Sequence, residues 1–265
     1  MPIWEPRQFD PDTCYEARIG ALRVWLRHTF QDWYLAWRLD GPGARRQPVR
    51  TQIRAVGKQL QDVGPGDWKR WVFETGTSMA RFVPMAPDRG LVVQPDLPTG
   101  LPPGQRVMTF VTIPLWVGVS VGEGSGQMLC EMPTTVLSRT WYGDLASGEL
   151  CYSLRSRATR HPPPVEHAVD SAVCALQLVN ETSSSLEFVH FLIQAEHLAL
   201  YRVPGRIWTK SVDVVFQGPE NRTTLGGAPT IDGIPTLLQP PRRVADRSLV
   251  RKSFQFLKGL AGFSA

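Results

Sequence analysis

From Glu149 to Arg157 the chain alternates with a period of two. Leu150, Tyr152 and Leu154 fall on one side, and Glu149, Cys151, Ser153, Arg155 and Arg157 on the other. A helix repeats every 3.6 residues and cannot satisfy this pattern. The midpoint of the 265-residue chain is therefore a strand. Leading into it, Trp141-Tyr142-Gly143-Asp144 is an aromatic pair entering a Gly-Asp turn, and Ser147-Gly148 closes that turn. The leucine side is expected to face inward. The other side is expected to carry Glu149 and two arginines, with Glu149 paired to one of them.

The same signal recurs on both sides of this stretch. Residues 22–27 and 33–40 read as an antiparallel hairpin around Phe30-Gln31-Asp32, with Trp33, Leu35, Trp37 and Leu39 on one face. Shorter strands are expected at 70–73, 80–83 and 91–93. A long apolar run from Arg106 to Val121 is interrupted by Pro114, which lacks an amide hydrogen, so a bulge or a switch between sheets is expected there. Gly122-Glu123-Gly124-Ser125-Gly126 has no following Lys-Ser/Thr and reads as a hairpin turn, not a phosphate loop. In the second half, 173–179 is expected to pair with 186–193 across a polar turn, and 198–203 and 211–217 supply further strands. With 23 prolines and 23 glycines, many short strands joined by turns fit better than helices.

The expected class is all-β: two β-sandwich (Ig-like) halves with a C-terminal amphipathic helix. Residues 1–160 would form the N-terminal sandwich. Residues 165–218 would form a smaller one, able to share strands with the first, and His161-Pro162-Pro163-Pro164 is the stiff joint between them. Residues 219–241, rich in Gly, Pro and Thr, read as a linker, and 243–265 as a helical tail.

Charge and cysteine usage exclude several classes. A net charge of +5 is too small on its own to specify nucleic acid. Residues 41–66 concentrate Arg45, Arg46, Arg50, Arg54 and Lys58 against Asp62. They are expected to form a solvated loop, whose functional reading would be an electropositive arm for phosphate or an acidic partner. Cys14, Cys130, Cys151 and Cys174 contain no C-x-x-C pair, which points to free thiols in the cytoplasm and to no metal site. Three prolines keep His161, Glu166 and His167 from ligand spacing on a helix. No cofactor motif occurs, and no apolar run approaches the ~20 residues that span a bilayer. The N-terminus has neither the basic nor the apolar region of a signal peptide, so a soluble chain is expected.

In the tail, Leu249, Val250, Phe254, Phe256, Leu257 and Leu260 gather on one side of a helical wheel, with Arg247, Arg251 and Lys258 opposite. It is expected to be a contact element for a protein partner or a second copy, or else to pack on its own sandwich, with weak peripheral membrane contact a lesser use. The other candidate contact residues are in the central stretch. Trp141, Tyr142 and Tyr152 offer rings, and Asp144, Glu149, Arg155 and Arg157 offer polar groups. Asp144 and Glu149 are the best carboxylate pair for a hydrolase. No G-x-S-x-G elbow accompanies them, and aspartate after glycine is a common turn former.

The segment Trp141-Tyr142-Gly143-Asp144 with Ser147-Gly148-Glu149-Leu150-Cys151-Tyr152 resembles the signature of a family of bacterial and archaeal domains of unknown function. Ile113-Pro114-Leu115-Trp116-Val117, residues 198–202 and residues 249–258 are similar too, so the resemblance covers most of the chain. It implies no catalytic residues, and an accessory role beside a membrane channel or another partner. The expected function is thus a non-catalytic interaction protein. A small-molecule or carbohydrate-binding sandwich is the alternative, and a hydrolase comes third.

Overall fold

The computed structural model describes residues 2–41, 52–60, 63–96, 99–143, 145–146, 148–163, 169–188, 190–217, 221–229 and 234–244. It is all-β, with several sheets, and divides into two compact units that interleave along the sequence. The first contains Met1–Met85, Pro114–Val136 and Ala168–Asp170; the second contains Ala86–Ile113, Leu137–His167 and Ser171–Ala265.

In the first unit, β2 (Cys14–Ile19), β3 (Leu22–His28), β4 (Asp32–Leu39), β5 (Gln52–Gly57) and β6 (Lys69–Val72) form an antiparallel sheet in the order β5-β2-β3-β4-β6. The expected hairpin is present, β3 and β4 pairing from Leu22↔Leu39 to His28↔Trp33. Trp33 and Leu35 are buried, as their alternation requires. Trp33 Nε1 donates to the Thr77 carbonyl at 3.1 Å, and the His28 ring stacks on the indole at 4.9 Å. Within 41–66 the structure corrects the loop expectation, because 52–57 form β5 on the edge of β2. Its side chains are mostly exposed or half-exposed, so no apolar period announces it. What holds it is the backbone ladder to β2, with Arg54 also bridged to Glu16 at 3.4 Å.

A second sheet in this unit joins β1 (Arg7–Gln8), β7 (Met79–Met85), β11 (Trp116–Val121) and β12 (Gln127–Pro133) in that order. The run broken by Pro114 does switch sheets. β10 (Arg106–Pro114) pairs with β15 (Ser171–Asn180), whereas β11 pairs with β7 and β12. Leu115, between them, donates to the Asp170 carbonyl at 2.9 Å and accepts from the Thr134 hydroxyl at 2.7 Å, so the break leaves its backbone satisfied. The Gly122–Gly126 turn closes the β11–β12 hairpin, with Gly122 at φ +107°.

In the second unit, β10 and β15 share a seven-stranded sheet with β18 (Leu200–Val203), β19 (Arg206–Thr209), β20 (Val212–Phe216), β21 (Asn221–Leu225) and β22 (Thr236–Gln239). Two corrections arise here. β15 does not pair with 186–193; it lies parallel to β19 and β20. Residues 186–193 instead give β16 (Leu186–Phe188), which pairs with β9 (Thr99–Leu101), and β17 (Phe191–Ile193), which pairs with β8 (Leu91–Pro95). Asn180 supplies a physical reason. Its buried side chain donates to the carbonyls of Leu101 and Ser184 at 2.8 and 2.9 Å and accepts from the Thr182 amide and hydroxyl. That ties the polar turn to β9 and sends the departing chain there. The second correction concerns 219–241, read as a linker. It holds β21 and β22, hydrogen-bonded to β20 and β18.

Candidate functional site

The motif residues lie on a third sheet of the second unit, in which β13 (Ser138–Tyr142), β14 (Glu149–Ser156), β8 and β17 follow in the order β13-β14-β8-β17. β13 and β14 are an antiparallel hairpin with Trp141↔Leu150 and Tyr142↔Glu149 in register, and β14 lies parallel to β8. The neck of the hairpin depends on Gly143. Its φ is +102°, and a Cβ there would fall 2.9 Å from the Cα of Gly148.

Register separates the motif side chains onto two faces. Tyr142, Cys151, Val92 and Leu192 form one buried cluster, with Glu149 on the same face at its exposed margin. The other face carries Trp141, Leu150 and Tyr152 outward from Leu91, Val93, Phe191 and Ile193. Those last four are buried, whereas Trp141 is 51% and Leu150 39% exposed, and Leu145 in the hairpin turn is 96% exposed. An apolar face therefore runs out from under its cover at the hairpin. The inward side expected for β14 is reversed at this end: Cys151 is buried and Leu150 is open. Because Tyr142 faces away from Trp141 and Tyr152, the three rings cannot stack on one ligand.

Arg155 and Arg157 are exposed, and among the described residues Glu149 forms no ion pair with either, contrary to the expected pairing. The Tyr152 hydroxyl donates to Asp88 Oδ1 at 2.9 Å. Asp144 lies outside the described residues, as do Leu249, Val250, Phe254, Phe256, Leu257 and Leu260 of the tail.

Burial, reinforced by the negative charge of Cys151 and Glu149, raises the Tyr142 phenol above its ordinary value, and its ring meets His190 edge-on at 6.1 Å. Burial, with help from Glu149 and Glu196, pushes the Cys151 thiol up to about 12. At neutral pH both groups keep their protons, and a protonated thiol is a poor nucleophile.

Glu196 escaped the sequence reading. It sits buried in the 3-10 turn Ala195–His197, and its Oε2 has no hydrogen-bond partner among the described residues. Burial raises its carboxyl above the ordinary 4.5, and Glu149 adds to the rise against the opposing charges of His197 and Arg243. The signal was present in the sequence, since Glu196-His197 is a charged pair inside an otherwise apolar run. The same turn anchors the chain that leads into the tail. His197 Nδ1 donates to the Arg243 carbonyl at 2.9 Å, the Arg243 amide donates to the Glu196 carbonyl at 3.0 Å, and Arg242 Nε donates to the Ala86 carbonyl at 2.6 Å.

Among the described residues no group of three or more His, Cys, Asp and Glu side chains is placed to hold a metal ion, and no helix is long and apolar enough to cross a membrane. Fold and site together define an all-β protein built around a glycine-necked hairpin with an overhanging apolar face. Residues 3–258 match the family described as "Protein of unknown function (DUF432)", and the chain belongs to that family. Neither a curated protein nor a solved structure matches it.

Proposed function

We propose that the protein is a non-catalytic β-sandwich interaction protein of the cytoplasm. It docks a partner through the β13–β14 hairpin and through the amphipathic helix expected over 243–265. The observation that carries this reading is the cross-strand pair Trp141 and Leu150, half-open to solvent beside Leu145. Tryptophan is enriched where partners bury surface, and exposed apolar side chains grouped on one element mark contact sites. Among the described strands β13 stands at the end of its sheet, the position at which a partner strand can be added. The protonated states of Tyr142 and Cys151 support a packing role for the inner face of the hairpin over a catalytic one. Arg243, held on the Ala195–His197 turn, and Arg242, held on the Ala86 carbonyl, give the tail a fixed point of departure.

A photo-crosslinking residue placed at position 145 and expressed in the native host tests the reading. One dominant adduct is expected, to a partner protein or to a second copy, and Trp141→Asp should abolish it with folding intact. An adduct pattern that is diffuse, or indifferent to Trp141→Asp, would overturn it. Removing residues 245–265 in the same assay reports the share of the tail.

A further inference from the structure

We propose that a cleft over β2, β3, β4 and β5 of the first unit binds a small molecule bearing two or more phosphoryl groups. The sheet register sets Arg18, Arg23 and Arg38 side by side on three neighbouring strands. Like charges directly opposite one another destabilise a sheet, so such a row needs compensation. In the next row along the same face stand Arg54, Glu16 and Trp25. Four guanidiniums thus share two carboxylates. Glu16 takes Arg18 at 2.8 Å and Arg54 at 3.4 Å, while Asp40 takes Arg23 at 2.6 Å and Arg38 at 3.7 Å.

The compensation is uneven, and the two weakly held arginines are the ones that line the cleft. Arg38 and Arg54 border a cavity of about 510 Å³ with Glu16, Trp25 and Gly64. Their side chains are about half exposed, at 53% and 52%. Arg38 donates no hydrogen bond among the described residues, and its guanidinium lies over the Trp25 ring at 5.6 Å. Trp25 itself is buried, with Gly64 close against its ring at φ +83°. The indole is a fixed floor that orients Arg38 and has no open face for a ligand to stack on.

Recognition then falls to the two guanidiniums, whose planar forks match oxyanions in two-point contacts. They arise from strands three ladder steps apart, roughly 14 Å at the backbone. A ligand reaching both needs separated negative groups, and a chain of phosphoryl groups supplies them. A free polyphosphate and a nucleoside polyphosphate share this chemistry.

The test is calorimetric titration of the full chain, in 150 mM salt, with inorganic tripolyphosphate and, separately, with ATP without metal. Saturable binding at one site per chain is expected for at least one of them. Equal affinity for the two assigns recognition to the phosphates alone, and a preference for ATP assigns a share to the nucleoside. Arg38→Gln and Arg54→Gln should each weaken binding at least tenfold, while Arg70→Gln, on the same sheet but paired with Asp32 and outside the cleft, should not. Should Arg54→Gln fail to fold, Arg38→Lys keeps the charge, loses the fork and is expected to weaken binding as well. Absence of saturable binding by either probe overturns the proposal. So does an equal loss in all three glutamine variants, which would mean general charge attraction.

Discussion

Trp141 on β13 stands directly across from Leu150 on β14, and both side chains are open to solvent although the same face is buried two strands further in. Neighbouring Tyr142 points the other way, into the cluster with Val92, Cys151 and Leu192. Adjacent aromatics on one strand therefore carry different work, one at the surface and one in the core. Trp141→Ala should cost less than about 1 kcal/mol, as for a surface cross-strand pair. Tyr142→Ala should cost about 3–5 kcal/mol, in the range of buried aromatics. Urea unfolding of both variants checks the contrast, and equal losses would contradict it.

Gly143 should not tolerate a side chain. A positive φ and a Cβ contact at 2.9 Å with backbone leave nothing flexible to move. Gly143→Ala is expected to cost on the order of 1–3 kcal/mol. Proteolysis should then cut first within the β13–β14 turn.

Glu16 should stabilise the fold at neutral pH and lose that contribution in acid. Burial pulls its carboxyl upward, but the Arg18 hydrogen bond and the charges of Arg18, Arg54 and Arg23 outweigh it and leave the group below 4.5. The contribution is complete above the unfolded value and fades as pH falls through the lower folded one. Glu16→Gln should be less stable than the parent at pH 6, and the difference should narrow as pH falls below 4.5. A constant difference across pH 7 to 3 would show that its charge is not the cause.

Glu196 should act with the opposite sign. Its folded carboxyl holds its proton more tightly than the unfolded chain does, so stability declines as pH rises from 4.5 through the raised value. Glu196→Gln should match the parent near pH 4 and exceed it progressively at higher pH. Chemical denaturation at a series of pH values reads this directly, and a parent that gains on the variant as pH rises would refute it.

The thiols should be slow to react in the native chain. Burial pushes Cys151 and Cys174 to about 12 and Cys130 to about 11. Alkylation at pH 8, followed by mass spectrometry, should label Cys130 before Cys151 and Cys174, and all of them quickly once denaturant is added. Fast native labelling of Cys151 would contradict its burial and its raised pKa.

Local pattern determined the class of this protein and many of its strands. Trp33 and Leu35 alternate because one face of β4 is core, and Pro114 ends a strand because it has no amide to donate. The Gly122–Gly126 turn was legible from its glycines. Strand partners were not legible. Parallel pairing of β15 with β19 and β20, and of β14 with β8, joins segments far apart in the chain, where no turn residue fixes register. Nor could alternation say which face of β14 is covered. A period of two names two faces without ranking them, and a shift of one residue exchanges them. Packing of Tyr142, Cys151, Val92 and Leu192 made the choice, leaving Trp141 and Leu150 outside. The cleft of Arg38 and Arg54 was hidden for the same reason: residues 16 positions apart come to line one cleft only when four strands are laid side by side.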